Sequence, residues 1–151
     1  MTVERALRWA VAAATSVAVV SAAGCGDERV VCTLKGAESQ VHVVWDTAHF
    51  PLDATYRLCA DEVCRDGQAR QGGPLGTFDL PLPEATGELR VAVRFRVTDP
   101  ADGRHLYDRT TQVTLRKVMP NGEHCGPVVW QAGLRADPER GLVDARPADT
   151  R

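Results

Sequence analysis

The chain has 151 residues, 44% hydrophobic and 25% charged, with 18 Lys and Arg against 20 Asp and Glu and a formal charge of −2. That near-balance argues against a nucleic-acid partner, which wants a strongly basic field. The length allows one domain with a real core.

The first residues carry Arg5 and Arg8, offset by Glu4, and no charge follows from Trp9 to Ala23. This apolar run is about 15 residues long, short of the roughly 20 that cross a bilayer as a helix. A charged start, a short apolar core and the small residues Ala22, Ala23 and Gly24 predict a signal peptide over residues 1–24. No twin-arginine pair is present, so general secretion is expected. With Cys25 next, the segment Ser21-Ala22-Ala23-Gly24-Cys25 resembles the lipobox of bacterial lipoproteins, with Ala22 where that family usually has a larger aliphatic residue. The resemblance implies a diacylglyceryl thioether on Cys25 and cleavage before it. Two acyl chains give stable anchoring where one gives only marginal binding. The expected location is therefore extracytoplasmic, on the outer face of the cell membrane. The expected organisation is signal peptide 1–24, lipidated tether 25–29, β domain 30–144 and flexible tail 145–151. Losing Arg5, Arg8 and Glu4 moves the formal charge of the 127-residue mature chain to −3.

There are five cysteines. With Cys25 lipidated, Cys32, Cys59, Cys64 and Cys125 remain, which suits two disulfides in an oxidising compartment. Three pairings are open, and Cys59–Cys64 with Cys32–Cys125 is favoured. A hairpin in Leu58-Cys59-Ala60-Asp61-Glu62-Val63-Cys64 sets its two cysteines directly opposite, about 4.5–5.5 Å apart at Cα, within bonding range.

The dominant period along the mature chain is two, as in half-buried strands. Val30, Cys32 and Leu34 read as a first, edge-like strand with Cys32 buried. Val41, Val43 and Trp45 follow, then Tyr56, Leu58 and Ala60, which leaves Cys59 facing out. Phe78, Leu80 and Leu82 form a strand that Pro81 and Pro83 place at an edge. Leu89–Val97 alternates apolar and mostly charged residues, and Val113 with Leu115 continues the pattern. If Val91 opposes Val113 and Val97 opposes Tyr107, the apolar faces align and Arg96 meets Asp108 outside, a stabilising cross-strand pair. The hairpin loop then runs from Pro100 to Arg104. Val128, Trp130, Ala132 and Leu134 close the series, with Trp45 and Trp130 in inward phase. About seven short strands with regular turn signals predict an all-β fold, an antiparallel β-sandwich of immunoglobulin- or fibronectin-like architecture. The lipobox, the Cys-x4-Cys hairpin and the run from Pro120 to Pro127 followed by Trp130 together resemble small lipoproteins of high-GC Gram-positive (actinobacterial-type) bacteria. That resemblance implies location and fold and carries over no functional residue.

Chemistry-bearing signals are few. The four histidines, His42, His49, His105 and His124, are not at ligand spacing, so no metal site is expected. Asp99, Asp102 and Gly103 read as an Asp-Gly turn, since a calcium loop needs more oxygen ligands. No nucleophile elbow or His-Glu-x-x-His motif is present, and no enzyme and no cofactor are expected. The candidate binding loops are Asp61 and Glu62 at the hairpin tip and Asn121, Glu123 and His124 near Cys125, since bridged loops lose little entropy on binding. Arg90, Arg94 and Arg96, on one strand face, are a candidate anion patch. The expected function is a non-catalytic binding or scaffold module at the membrane surface, with an envelope protein or glycan as partner. The alternatives are a small-ligand carrier for a metal, lipid or glycan, or a hydrolase inhibitor presenting the Cys59–Cys64 loop.

Overall fold

The period-two runs form strands in the computed structural model, which describes residues 32–33, 35–83 and 87–145. The signal segment, Cys25, Val30, Leu34 and the tail beyond 145 lie outside the described residues. Among the described residues there are ten strands and no helix: β1 (Gln40–Asp46), β2 (Thr55–Ala60), β3 (Val63–Gly67), β4 (Arg70–Gly72), β5 (Leu75–Pro81), β6 (Arg90–Thr98), β7 (His105–Thr114), β8 (Arg116–Val118), β9 (Val129–Asp137) and β10 (Gly141–Asp144). One sheet has the order β10-β9-β1-β5-β4, with β8 also on β9, and the other runs β3-β2-β6-β7.

The alternation dictates the packing. Val41, Val43 and Trp45 of β1 face Tyr56 and Leu58 of β2 and Val93, Phe95 and Val97 of β6 across the space between the sheets, and all are buried. Trp45 stacks on Tyr56 with ring centroids 4.7 Å apart and leans on Phe95 at 5.4 Å. The Tyr56 hydroxyl donates to the Pro51 carbonyl at 2.5 Å, and burial pushes its pKa up to about 12. The β6–β7 register is the expected one: Val91 opposes Val113, Val97 opposes Tyr107 and Arg96 opposes Asp108. Asp99 and Asp102 fold the connecting turn, accepting from the backbone N–H groups of Ala101 and Arg104, each at 2.9 Å.

Five expectations need correction. Ten strands stand where about seven were expected, because β3 and β4 are almost wholly exposed and show no alternation. The pairing is not antiparallel throughout, since β1 and β9 run parallel. The first strand is not found in its described part. Cys32 and Thr33 are non-strand, as are residues 35–39, and Cys32 is exposed. The edge position of the Phe78–Leu82 run holds only in part: β4 pairs with β5 from Leu75 to Thr77, and the stretch with Pro81 extends past it. There the Asp79 carbonyl accepts from the Arg65 guanidinium at 2.9 Å. Trp130 is half-buried at the margin of the core rather than within it.

Candidate functional site

β1, β6 and β9 begin at the same end of the sandwich, where β2, β5 and β7 finish. Four segments therefore meet there: the incoming chain up to Ser39, the β2–β3 tip, the β5–β6 connection and the stretch from Leu115 to Val128. Both bridged loops belong to this end.

The β2–β3 tip is a two-residue turn, Asp61-Glu62. Cys59 opposes Cys64 and Ala60 opposes Val63, and the Cys59–Cys64 bridge joins Cα atoms 4.1 Å apart. Asp61 takes the left-handed conformation (φ 49°) that tight hairpin turns require and that Asp tolerates. Its carboxylate accepts from the Ala92 N–H at 2.8 Å, and its own N–H donates to the Ala92 carbonyl at 2.9 Å. Asp61 thus fastens the tip to β6, and both it and Glu62 are exposed.

The Leu115–Val128 stretch is held by Cys32–Cys125, with Cα atoms 5.6 Å apart, and Cys125 is only 5% exposed. Asn121 is a structural clamp. Its Oδ1 accepts from the Thr33 hydroxyl and the Lys35 N–H, both at 2.8 Å. Its Nδ2 donates to the Lys35 carbonyl at 3.0 Å and the Gly126 carbonyl at 2.7 Å. Further along the incoming chain, the Trp130 N–H donates to the Ser39 hydroxyl at 3.0 Å and Gln131 donates to the Glu38 carbonyl at 2.9 Å. Asn121→Ala removes all four side-chain bonds at once. It is expected to cost about 1–2 kcal/mol, allowing for solvent access to these groups. Hydrogen exchange at Lys35 should quicken more than exchange at Val43. Of the other candidate loop residues, Glu123 and His124 are exposed.

The surface between these segments is mixed, with Glu38, Ser39, Asp61 and Glu62 among its apolar side chains. Val63, Leu89 and Val128 are the exposed large hydrophobics among the described residues, at 38%, 51% and 50%. Val128 borders a hollow of about 400 Å³ with Ala37, Pro81 and Leu82. Val63 and Leu89 border another of about 390 Å³ with Ala60, Leu82 and Leu115. Leu82 is common to both, so the two form one interrupted apolar surface.

The arginine patch is differently composed from the expected set. Arg94 clasps Asp108 through two bonds of 2.7 and 2.6 Å, and Arg96 reaches the same carboxylate at 3.1 Å. Arg57, which opposes Arg96, pairs with Asp66 at 3.0 Å. Arg57, Arg94 and Arg96 line a hollow of about 230 Å³ over Cys59, whereas Arg90 opposes Thr114 at the start of β6. Three guanidinium groups against two carboxylates leave a single net positive charge, so the patch is largely neutralised from within.

Hydrogen bonds from Arg94, then from Arg96, hold the Asp108 pKa down at about 2 against the opposing effect of burial. A carboxylate with a lowered folded-state pKa stabilises the fold above its unfolded value and loses that contribution as pH falls. Stability should therefore decline from about pH 4 towards pH 2, and Asp108→Asn should flatten that decline. Solvent screening limits the effect to about 1 kcal/mol, read from the denaturation midpoint at each pH.

A third cluster was missed from sequence. Asp79, 8% exposed, lies on the outer face of β5 opposite His42. It is bonded by His42 Nδ1 and by the Arg70 guanidinium. Burial, then the charge of Arg70, push the His42 pKa down, which favours a neutral imidazole. Next to it, Gln40, Gln131 and Gly133 border a shallow hollow of about 250 Å³. The available signal was an acid between Phe78 and Leu80, at an outward position of a core strand.

Comparison with family models, with curated proteins and with solved structures found no match to this chain.

Proposed function

We propose that this chain is an exported lipoprotein, held by a diacylglyceryl group on Cys25 to the outer face of the cell membrane, that works by contact and not by catalysis. In this reading its two facing sheets form an immunoglobulin-like module, and the end bearing both bridged loops is its contact surface. One observation carries the reading. The incoming chain is fastened by Cys32–Cys125 and Asn121 at the same end that gathers Val63, Leu89 and Val128. Exposed apolar residues gathered into one patch mark an interaction site where scattered ones do not. The Cys59–Cys64 tip is less suited to present itself to a hydrolase, since the Asp61 carboxylate is spent on β6. The carrier reading has some support from the two hollows at this end, whose volumes of about 390 and 400 Å³ fall within the range of ligand pockets.

Two measurements on protein from host membranes test the reading. Intact mass should show the diacylglyceryl adduct on a chain that begins at Cys25, and a bare chain from Gly26 or later would end the anchor reading. Photo-crosslinkers placed singly at Leu89, Val128, Asp102 and Glu139 in intact cells should give adducts at the first two positions. Adducts concentrated at Asp102 and Glu139, on the opposite turns, would overturn the assignment of the surface. A small ligand that copurifies and shields Leu89 or Val128 from crosslinking would replace contact with carriage.

A further inference from the structure

We propose that the tethered end of the sandwich rests on the lipid surface itself, with Val63, Leu89 and Val128 as the side chains that enter it. The proposal deepens, and rests on, the anchor reading above.

Reach comes first. Cys32 lies seven positions after Cys25, and an extended chain covers about 3.5 Å per residue, so the Cys32–Cys125 bridge lies within about 25 Å of a lipid on Cys25. The nine-residue strands β6 and β9 are about 30 Å long. The tether is thus shorter than the domain, and the end that holds the bridge is the end kept near the bilayer.

The shape of the apolar surface comes second. Val63 starts β3, Leu89 precedes β6 and Val128 precedes β9, so the three sit on separate segments around the rim, with Leu82 between the hollows. A rim of dispersed apolar side chains suits a broad, yielding surface better than a single peptide laid in a groove.

Charge comes third. Lys35, Arg90, Arg116 and Lys117 are exposed at this end alongside Glu38, Asp61, Glu62, Glu88 and Glu123. This balance provides no net attraction to anionic headgroups, so the contact depends on the apolar rim. Three half-exposed side chains bind weakly alone. A short tether raises the effective concentration enough to make such a contact standing.

The test uses hydrogen exchange on two preparations of the mature chain bound to phosphatidylethanolamine–phosphatidylglycerol vesicles. One is the protein from host membranes. The other is the chain from Cys25 coupled at that cysteine to a maleimide phospholipid, the four remaining cysteines being bridged. The reference is the untethered Cys25→Ser chain in solution. Amides of residues 61–63, 88–90 and 128–129 should exchange about tenfold more slowly on vesicles, with no change at residues 99–104 or 138–140. High salt should leave the difference in place. The Leu89→Glu/Val128→Glu pair should stay on the vesicles through its tether and lose the protection, with the exchange of β1 and β6 unchanged as the check on folding.

Equal exchange at this end on and off the vesicles would overturn the proposal, and so would protection that rises with the protein-to-lipid ratio, which would mark a second copy as the occupant. A native mass without lipid would sink the anchor reading alone, because the coupled chain still reports whether this end docks.

Discussion

Replacing Cys32 and Cys125 together by Ser is expected to lower the unfolding free energy by up to about 4.7 kcal/mol. The bridge closes a loop with a sequence separation of 93, and the entropy removed from the unfolded chain grows with the logarithm of loop length. The Cys59–Cys64 bridge, with a separation of 5, gives about 2 kcal/mol by the same relation. The larger figure is a ceiling. Residues 33 and 35–39 lie outside the strands, so without the bridge they can fray locally and recover part of the entropy in the folded state. The four hydrogen bonds of Asn121 oppose that fraying. Guanidinium unfolding should show the double Ser variant below the parent by about 3–4.7 kcal/mol, with the Cys59→Ser/Cys64→Ser pair losing about half as much. If the short bridge proves the more costly to lose, the long one acts mainly to fix the tether.

The contrast between the two bridges also marks how far the sequence could be read. The Cys59–Cys64 pairing follows from local strand phase: inward Tyr56 and Leu58 force Cys59 outward, and a two-residue turn brings Cys64 opposite. The β6–β7 register was legible for the same reason, since one residue of slip would expose the whole apolar face. Local phase groups Cys32 with Val30 and Leu34, but among the described residues strand pairing begins only at Gln40. β3 has no buried residue, so burial leaves no periodic trace there, and the parallel partner of β1 is some 90 residues away in β9. Asn121 looked like a loop residue free to bind. Its four hydrogen bonds include those to Thr33 and Lys35, at sequence separations of 88 and 86, which turn chemistry alone does not announce. Arg57 joins the arginine patch only once β2 is known to lie beside β6. Local alternation therefore revealed the faces of strands, while the composition of the tethered end depends on contacts between distant segments.

The tightest constraint in the core lies where β1 pairs with β5. Gly76 opposes Trp45, and a Cβ built on it would fall 2.5 Å from the indole Nε1 and 2.6 Å from Cζ2. The indole has little room to move away, being stacked on Tyr56 at 4.7 Å and against Phe95 at 5.4 Å. Gly76→Ala is thus an overpacking change in a filled core, expected to cost about 1–3 kcal/mol and to fall in the upper part of that range. An ordinary strand glycine behaves in the opposite way, because alanine there lowers the entropy of the unfolded chain. Gly133 provides that comparison: its added Cβ would meet only Ala145 Cβ at 3.7 Å, an ordinary contact, so Gly133→Ala should be neutral or mildly stabilising. The clash can be separated from a backbone effect by shrinking its partner. Trp45→Phe alone should destabilise by leaving a cavity. Combined with Gly76→Ala, it should cost less than the sum of the two single changes, by about 0.5–3 kcal/mol of coupling. Additive costs in that cycle would mean that Gly76 is required for the backbone path of β5 rather than for the space it leaves to Trp45.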